Sequence, residues 1–376
     1  MSDKRPAGAG EALSPRTLNR TLLERQLLLE RSPLDAYGAV RHLVAMQAQA
    51  PNPPYLGLWT RLRAFRAQDL AALVTGRRVV RMALHRNTIH LVTAQDALPL
   101  RRALQPVLDQ GLKHNHGSGL AGVDLAELAA RGRALVEEKP RTFAELAQLL
   151  GPEFPQGAPE DLATGVRNLV PLVQVPPRGL WGYSGAAAHT SAEHWLGEQT
   201  AAEAAAFEPA AALDELFLRY LSAFGPASIR DVQKWCGLTR LNLVAKRLGE
   251  KLRRYQAPDG TVLYDLAEAK TAEPEAEAPV RFLPEFDNIL LSYADGARIM
   301  DPAFKSRVFT VNGRIKATVL ADGFVAAGWS ATGGQLVIEP YRALRKTERA
   351  EIAAEAEQLQ GFLAPGEEPW QLIFKD

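Results

Sequence analysis

The sequence predicts an α+β protein: three tandem winged-helix modules followed by a small C-terminal β-barrel. Three observations carry that expectation. Amphipathic helices followed by a short pair of strands recur three times between residues 16 and 270. An acidic stretch near 268–278, holding Glu273, Glu275 and Glu277, then breaks the pattern. Beyond it the chain alternates like strands, with the favoured hairpin turns Asn312-Gly313 and Asp322-Gly323 between them. The implied organisation is a disordered tail over 1–15, winged helices over 16–118, 119–205 and 206–270, and a barrel with a C-terminal helix over 271–376.

In the first module, residues 16–31 read as a helix. Ser32-Pro33 opens a second, through the hydroxyl cap and the proline tolerated at the first helical position. That helix is expected to run to residue 48, where Pro51 stops it and Pro53 and Pro54 preclude a restart. Residues 68–75 form a helix closed by Gly76, and strands 79–84 and 88–92 are joined by His85-Arg86-Asn87. In the second module a helix carries Leu125, Leu128 and Leu135, and Thr142 with Glu145 makes a capping box. That second helix is expected to stop at Gly151-Pro152; another covers 161–168, and strands 172–175 and 180–183 flank Pro176-Pro177-Arg178-Gly179. The third module has a helix over 213–221, a Ser228-capped helix ended by Gly237, a helix from Thr239 to Leu252, and a hairpin around Asp259-Gly260. Strands follow near 282–283, 289–291, 308–311, 315–319, 324–329 and 335–338, then a helix over 347–359 and a closing strand at 371–374.

Composition narrows the function classes. Hydrophobic residues at 47% and charged ones at 23% are ordinary for a soluble globular protein, and no apolar run reaches membrane-spanning length. A cytoplasmic protein without membrane association is expected. The single cysteine, Cys236, excludes disulfides within the chain and cysteine-based zinc sites. Net charge is only +1, but between Arg16 and Lys113 there are 15 Lys and Arg against 6 Asp and Glu. A basic first third can draw in phosphates even in a neutral chain.

Chemistry-bearing candidates are few. Met46-Gln47-Ala48-Gln49 precedes a proline-rich stretch, and its two carboxamides offer donors and acceptors without charge. On a regular helix, side chains two apart point about 200° away from each other; a frayed last turn, or an extended Gln49, lets both face one place. His114 and His116, His189 and His194 lack neighbouring carboxylate clusters, so no metal is expected. Glu285 and Asp287 are open to two readings, a general acid–base pair or ion pairing and capping within the C-terminal domain. Val311 to Lys316 presents cations near a hairpin tip. The helix-turn-helix pattern by itself suits a nucleic-acid binder, including a non-enzymatic winged-helix transcriptional regulator.

Taken together, Gln47-Ala48-Gln49, Val173 to Trp181, Phe282-Leu283-Pro284-Glu285-Phe286-Asp287-Asn288 and Asn312-Gly313-Arg314 resemble the tandem winged-helix DNA glycosylases of the AlkZ type. The resemblance runs from about residue 16 to the C-terminus. It implies a monofunctional, monomeric glycosylase without cofactor or metal, bound to double-stranded DNA and nucleoid-associated when so bound. Its substrates would be 7-alkylated purines, with interstrand crosslinks opened by some members. It implies catalytic roles for Gln47 and Gln49. The sister YcaQ-type branch has aspartate at the second polar position, which this chain lacks. Arg86, Arg178, Arg314 and Lys316 are the expected DNA contacts.

Overall fold

Polar side chains that satisfy the free amides at helix starts set several elements directly. The computed structural model describes residues 11–205 and 208–375. In it, Ser14 accepts from the Thr17 N–H and opens the helix Pro15–Arg25. Thr142 with Glu145, and Ser228 with Asp231, form reciprocal capping boxes at the helices Phe143–Glu153 and Ile229–Cys236. Gly237 ends the latter in the left-handed region at φ +87°, as its position after the last turn leads one to expect.

Other boundaries differ from the sequence reading. The first helix stops at Arg25, because Leu27 turns the chain at φ +59°. Asp35, not Ser32, caps the second helix, which is only Ala36–His42. Ser32 is instead held extended, with its N–H on the Arg61 carbonyl at 2.7 Å. Val44 sits at φ +69°, and the chain emerges as a short strand, Met46–Gln47. Pro53 and Pro54, expected to prevent a restart, begin the helix Pro53–Trp59, since the first turn needs no backbone donors. Pro152 likewise lies inside the last turn of Phe143–Glu153 and does not stop it.

Five strands from distant parts of the first half share one sheet, in the order Met46–Gln47, Ile89–Thr93, Val79–Ala83, Leu172–Gln174, His189–Ser191. Gln47 pairs with His90, and Arg81 with Gln174. The partner of Leu172–Gln174 is therefore His189–Ser191 and not the expected 180–183, which forms turns against the segment after Gln49. There Tyr55 donates to the Gly179 carbonyl at 2.9 Å, and the Gly182 N–H to Asn52 Oδ1 at 3.0 Å. Gly179 is required: at φ +97°, an added Cβ would meet Arg81 Cδ at 2.5 Å.

Helices Pro209–Phe224, Ile229–Cys236 and Asn242–Leu248 lead into the hairpin of Leu252–Gln256 and Val262–Leu266. Residues 1–10 of the expected disordered tail lie outside the described residues. Glu11–Ala12 is ordered, adding a parallel strand to the edge of that hairpin.

The C-terminal strands form an open sheet. Its order is Gln371–Phe374, Gln335–Pro340, Phe324–Thr332, Thr318–Ala321, Arg281–Leu283, and among the described residues the two outer strands do not pair with each other. The expected barrel thus does not close. Two segments read as strands are not: 289–291 lies mostly in the 3-10 turn Asn288–Leu290, and 308–311 follows from the α-turn Lys305–Val308 with a single bridge, Phe309 to Ile315. The helix Lys346–Leu363 buries Ile352, Ala356 and Leu359 against this sheet.

Two apolar clusters meet at residues 44–48. Val44 and Ala45 pack with Val80, Phe217, Trp235 and Leu283, whereas Met46 and Ala48 pack with Tyr55, Leu58, Phe282 and Val319. The glutamine segment is thereby clamped between the first sheet and the C-terminal domain.

Candidate active site

Each glutamine is placed by its own surroundings. The ladder begun by Met46–Gln47 is extended by the Ala48 N–H, which donates to the Ile89 carbonyl at 2.7 Å. The strand ends at Gln47, and Gln49 lies in a bend just beyond it, its side chain turned back toward the backbone of Ile89. Ala48 is fully buried, Gln47 is 7% exposed, and Gln49 lies at the surface.

Each carboxamide is oriented by a protein donor on its oxygen. Arg86 Nη2 donates to Gln47 Oε1 at 2.8 Å, and the Ile89 N–H donates to Gln49 Oε1 at 3.0 Å. Because both partners are donors, they dictate which terminal atom is oxygen. Each side chain therefore keeps its NH2 group, and the second lone pair of its oxygen, for a ligand. Among the described residues neither NH2 group has a hydrogen-bond partner.

A second layer immobilises this strand. Asn288 accepts from the Gln47 N–H at 3.1 Å and donates to the Ala45 carbonyl. Its neighbour Asp287 is buried and meets Arg61 through two bonds of 2.8 Å, while also accepting from the Ile289 N–H at 3.1 Å. Arg61 further donates to the carbonyls of Gln26 and Gly57. From the other side Arg81 reaches the Ala48 carbonyl at 2.6 Å and Gln174 Oε1 at 3.0 Å. Burial, and the positive charge of Arg178 nearby, push the Arg81 guanidinium down to about 10, which leaves it cationic at neutral pH.

Of the two carboxylates considered as an acid–base pair, Asp287 has both oxygens engaged in that ion pair. Glu285 is half-buried, 2.9 Å from Arg314. Neither is held free for proton transfer, so ion pairing and capping account for both.

The four expected DNA-contacting cations are not alike. Arg314 and Lys316 are exposed near the Asn312-Gly313 turn, with Val311 fully exposed at its tip. Arg178 is half-buried and donates to the Gly185 carbonyl at 2.8 Å. Arg86 is turned inward: beyond Gln47 it donates to the Trp235 carbonyl, and burial pushes it down to about 10.

Two of the four histidines considered are held by a partner in the fold. His114 and His116 end the helix Gln105–His116, with His116 on Asp161 at 2.6 Å. His189 stacks on Phe143, ring centroids 4.3 Å apart. His90, opposite Gln47 in the ladder, is buried and held down to about 3 by desolvation. Among the described residues no group of three His, Cys, Asp or Glu side chains is placed to hold a metal ion.

Sequence reasoning missed the roles of Asn288, Arg61 and Arg81. The Phe282–Asn288 stretch stood out as a motif, but its contact with the glutamine strand spans 241 residues and no local pattern encodes it.

A family profile described as DNA glycosylase AlkZ-like matches residues 40–362. A curated Streptomyces sahachiroi protein, "Interstrand DNA cross-link repair glycosylase", is 29% identical over 156 residues, which cover 39% of this chain and 41% of that relative. The chain thus spans less than half of that relative's length. The solved structure "Streptomyces sahachiroi DNA glycosylase AlkZ" superposes with a TM-score of 0.81 at 21% identity, covering 97% of this chain and 100% of that one. At that identity the superposition shows a shared α+β fold.

Proposed function

Since the chain belongs to the AlkZ-like family of DNA glycosylases, we propose that it hydrolyses the N-glycosidic bond of 7-alkylated purines in double-stranded DNA with a water held by Gln47 and Gln49. The observation that carries this reading is the pair of carboxamides at and just beyond the end of one short strand, each with its oxygen oriented by a protein donor.

Ordinary glycoside hydrolysis uses two carboxyl groups, one of which protonates the leaving group. A purine alkylated at its imidazole nitrogen already carries a positive charge and leaves with the bonding electrons, needing no acid. What remains is to place a water against the anomeric carbon as oxocarbenium character develops there. The free lone pairs and NH2 groups of Gln47 and Gln49 orient that water, whose proton passes to solvent as the new C–O bond forms. Neutral amides activate water weakly, so the enzyme acts only on activated leaving groups. Unmodified guanine is spared.

In this reading the regions 16–118, 119–205 and 206–270 are winged-helix units that present the site to a duplex, bound by a single protomer without cofactor. The exposed Arg314 and Lys316 meet the DNA backbone, and the half-buried Arg178 adds a contact from its own turn. The name of the Streptomyces relative extends the proposed substrates to interstrand crosslinks, in which a purine adduct joins two strands. A base so tethered cannot swing out freely, so full base flipping is not required here.

The test is release of 7-methylguanine from duplex DNA by the Gln47→Ala/Gln49→Ala double variant. Loss of release by on the order of 10²-fold or more, with DNA binding retained, is expected from removal of the positioned water. Undiminished release by the double variant would overturn the assignment. Separate incubations with a monoadduct and with a crosslink, scored for abasic sites, define the lesion class.

A further inference from the structure

Arg86 was expected at the DNA backbone, yet its guanidinium joins two parts of the protein. It lies in the tight turn His85–Asn87 between the strands Val79–Ala83 and Ile89–Thr93, with φ at +53°, a conformation seldom adopted by a residue with a long side chain. The surrounding packing holds it there. The ring of His85, its neighbour, lies over Trp235 with centroids 4.0 Å apart. The backbone of Arg86 is also close against the end of the helix Ile229–Cys236, where a Cβ on Gly237 would come within 3.5 Å of it.

The two acceptors chosen are informative. One is the Trp235 carbonyl, in the last turn of that helix, where carbonyls lack intrahelical partners and the helix dipole is negative. The other is Gln47 Oε1, at 2.8 Å. A guanidinium is planar, and its donors diverge in a fixed fork; two of its nitrogens here reach acceptors on different elements. The helix thus sets where the guanidinium lies, and the guanidinium sets where the Gln47 carboxamide points.

We propose that Arg86 is a positioning residue, which fixes the orientation of the Gln47 carboxamide from an anchor on the helix Ile229–Cys236 and makes no contact with the DNA backbone. This rests on the catalytic reading of Gln47. The charge-assisted bond selects one amide orientation, so that the NH2 group faces the site. It also draws electron density from the carboxamide, strengthening that NH2 group as a donor. Without it, the amide turns freely and presents either end.

The experiment is single-turnover release of 7-methylguanine, together with the salt dependence of duplex binding, for Arg86→Ala, Arg86→Lys, Gln47→Ala and the Arg86→Ala/Gln47→Ala double variant. The expected result is a tenfold or greater fall in the release rate for both Arg86 variants, with an unchanged salt slope. Lysine keeps the charge but lacks the fork, so it fails to rescue release. In the Gln47→Ala background, Arg86→Ala lowers the rate no further, because the two act as one unit. Added methylguanidinium partly restores release to Arg86→Ala, which a merely misfolded variant would not show. If Arg86→Ala instead shrinks the salt slope by about 0.9 and Arg86→Lys restores it, Arg86 is a phosphate contact and the proposal is overturned. Equal losses from Arg86→Ala with and without Gln47 also overturn it, while leaving the role of Gln47 intact. If Gln47→Ala alone leaves release unchanged, the underlying reading of Gln47 fails and this inference with it. Should Arg86→Ala not fold, the Arg86→Lys arm carries the same comparison.

Discussion

Asn288 grips the strand that carries Gln47 at two points, accepting from the Gln47 N–H at 3.1 Å and donating to the carbonyl of Ala45. One side chain from the C-terminal domain thereby takes the place that a further strand would fill beside residues 45–47. Replacing it by alanine leaves two buried backbone groups unpaired, at roughly 1–3 kcal/mol each. Asn288→Ala is expected to lower the denaturation midpoint and to slow base release well beyond any change in DNA affinity. A folded Asn288→Ala protein that releases base at the full rate would show that the strand holds its shape without this clamp.

Asp287 and Arg61 form a buried ion pair with two matched bonds, and removing one partner strands the other charge. Asp287→Asn is expected to cost about 3–5 kcal/mol of stability, measured by chemical denaturation. Glu285→Gln, which removes only the charge facing Arg314, is expected to retain base release. A Glu285→Gln enzyme that folds normally but has lost release would reinstate the carboxylates as the acid–base pair.

Arg314 and Lys316 project from the turn that ends at Gly313, and Arg314 shares its charge with Glu285 at 2.9 Å. Removing a cation that neutralises one DNA phosphate is expected to reduce the slope of log affinity against log salt by about 0.9. Affinity titrations of Arg314→Ala and Lys316→Ala from low to moderate salt measure this directly. Slopes equal to the parent's would place the DNA elsewhere.

Acid stability follows from the buried histidines. Desolvation holds His90 down to about 3, His189 down to about 4, and His85 well below its ordinary value. Their folded values lie below the unfolded one near 6.5, so the unfolded chain binds protons first as pH falls. The stability they contribute is complete above about 6.5 and is lost progressively toward the folded values. At pH 5 the loss is about 2 kcal/mol each for His90 and His189, and His85 acts in the same direction. Melting temperatures recorded from pH 7 to pH 5 should fall, and His189→Phe, which can keep the stack on Phe143, should flatten part of that fall.

Much of the architecture was legible because its signals are local. The Ser228 cap, Thr142 with Glu145, Gly237 and the turn around Gly260 each act within a few residues, and the structure keeps all four as read. The misreadings arose where local chemistry allows two outcomes. Ser32 and Asp35 are both competent caps, and packing of the Ser32 backbone against Arg61 leaves the role to Asp35. Pro53 and Pro54 end a helix that precedes them and begin one that follows; the chain had already left its helix at His42, so they begin one.

By itself the sequence determined the helix caps, the turn residues, the mixed α+β character and the presence of two glutamines spaced by one apolar residue. Only the tertiary structure decided that Gln47 lies on a strand and Gln49 in the bend after it, and not both on a helix, where the spacing would part them. That decision rests on Ile89 and His90 beside the strand, Asn288 across from it, and Arg86 against Gln47. Those partners lie roughly 40 to 240 residues away in the chain, and hydrogen bonds over such separations exist only once the fold has brought their donors and acceptors together.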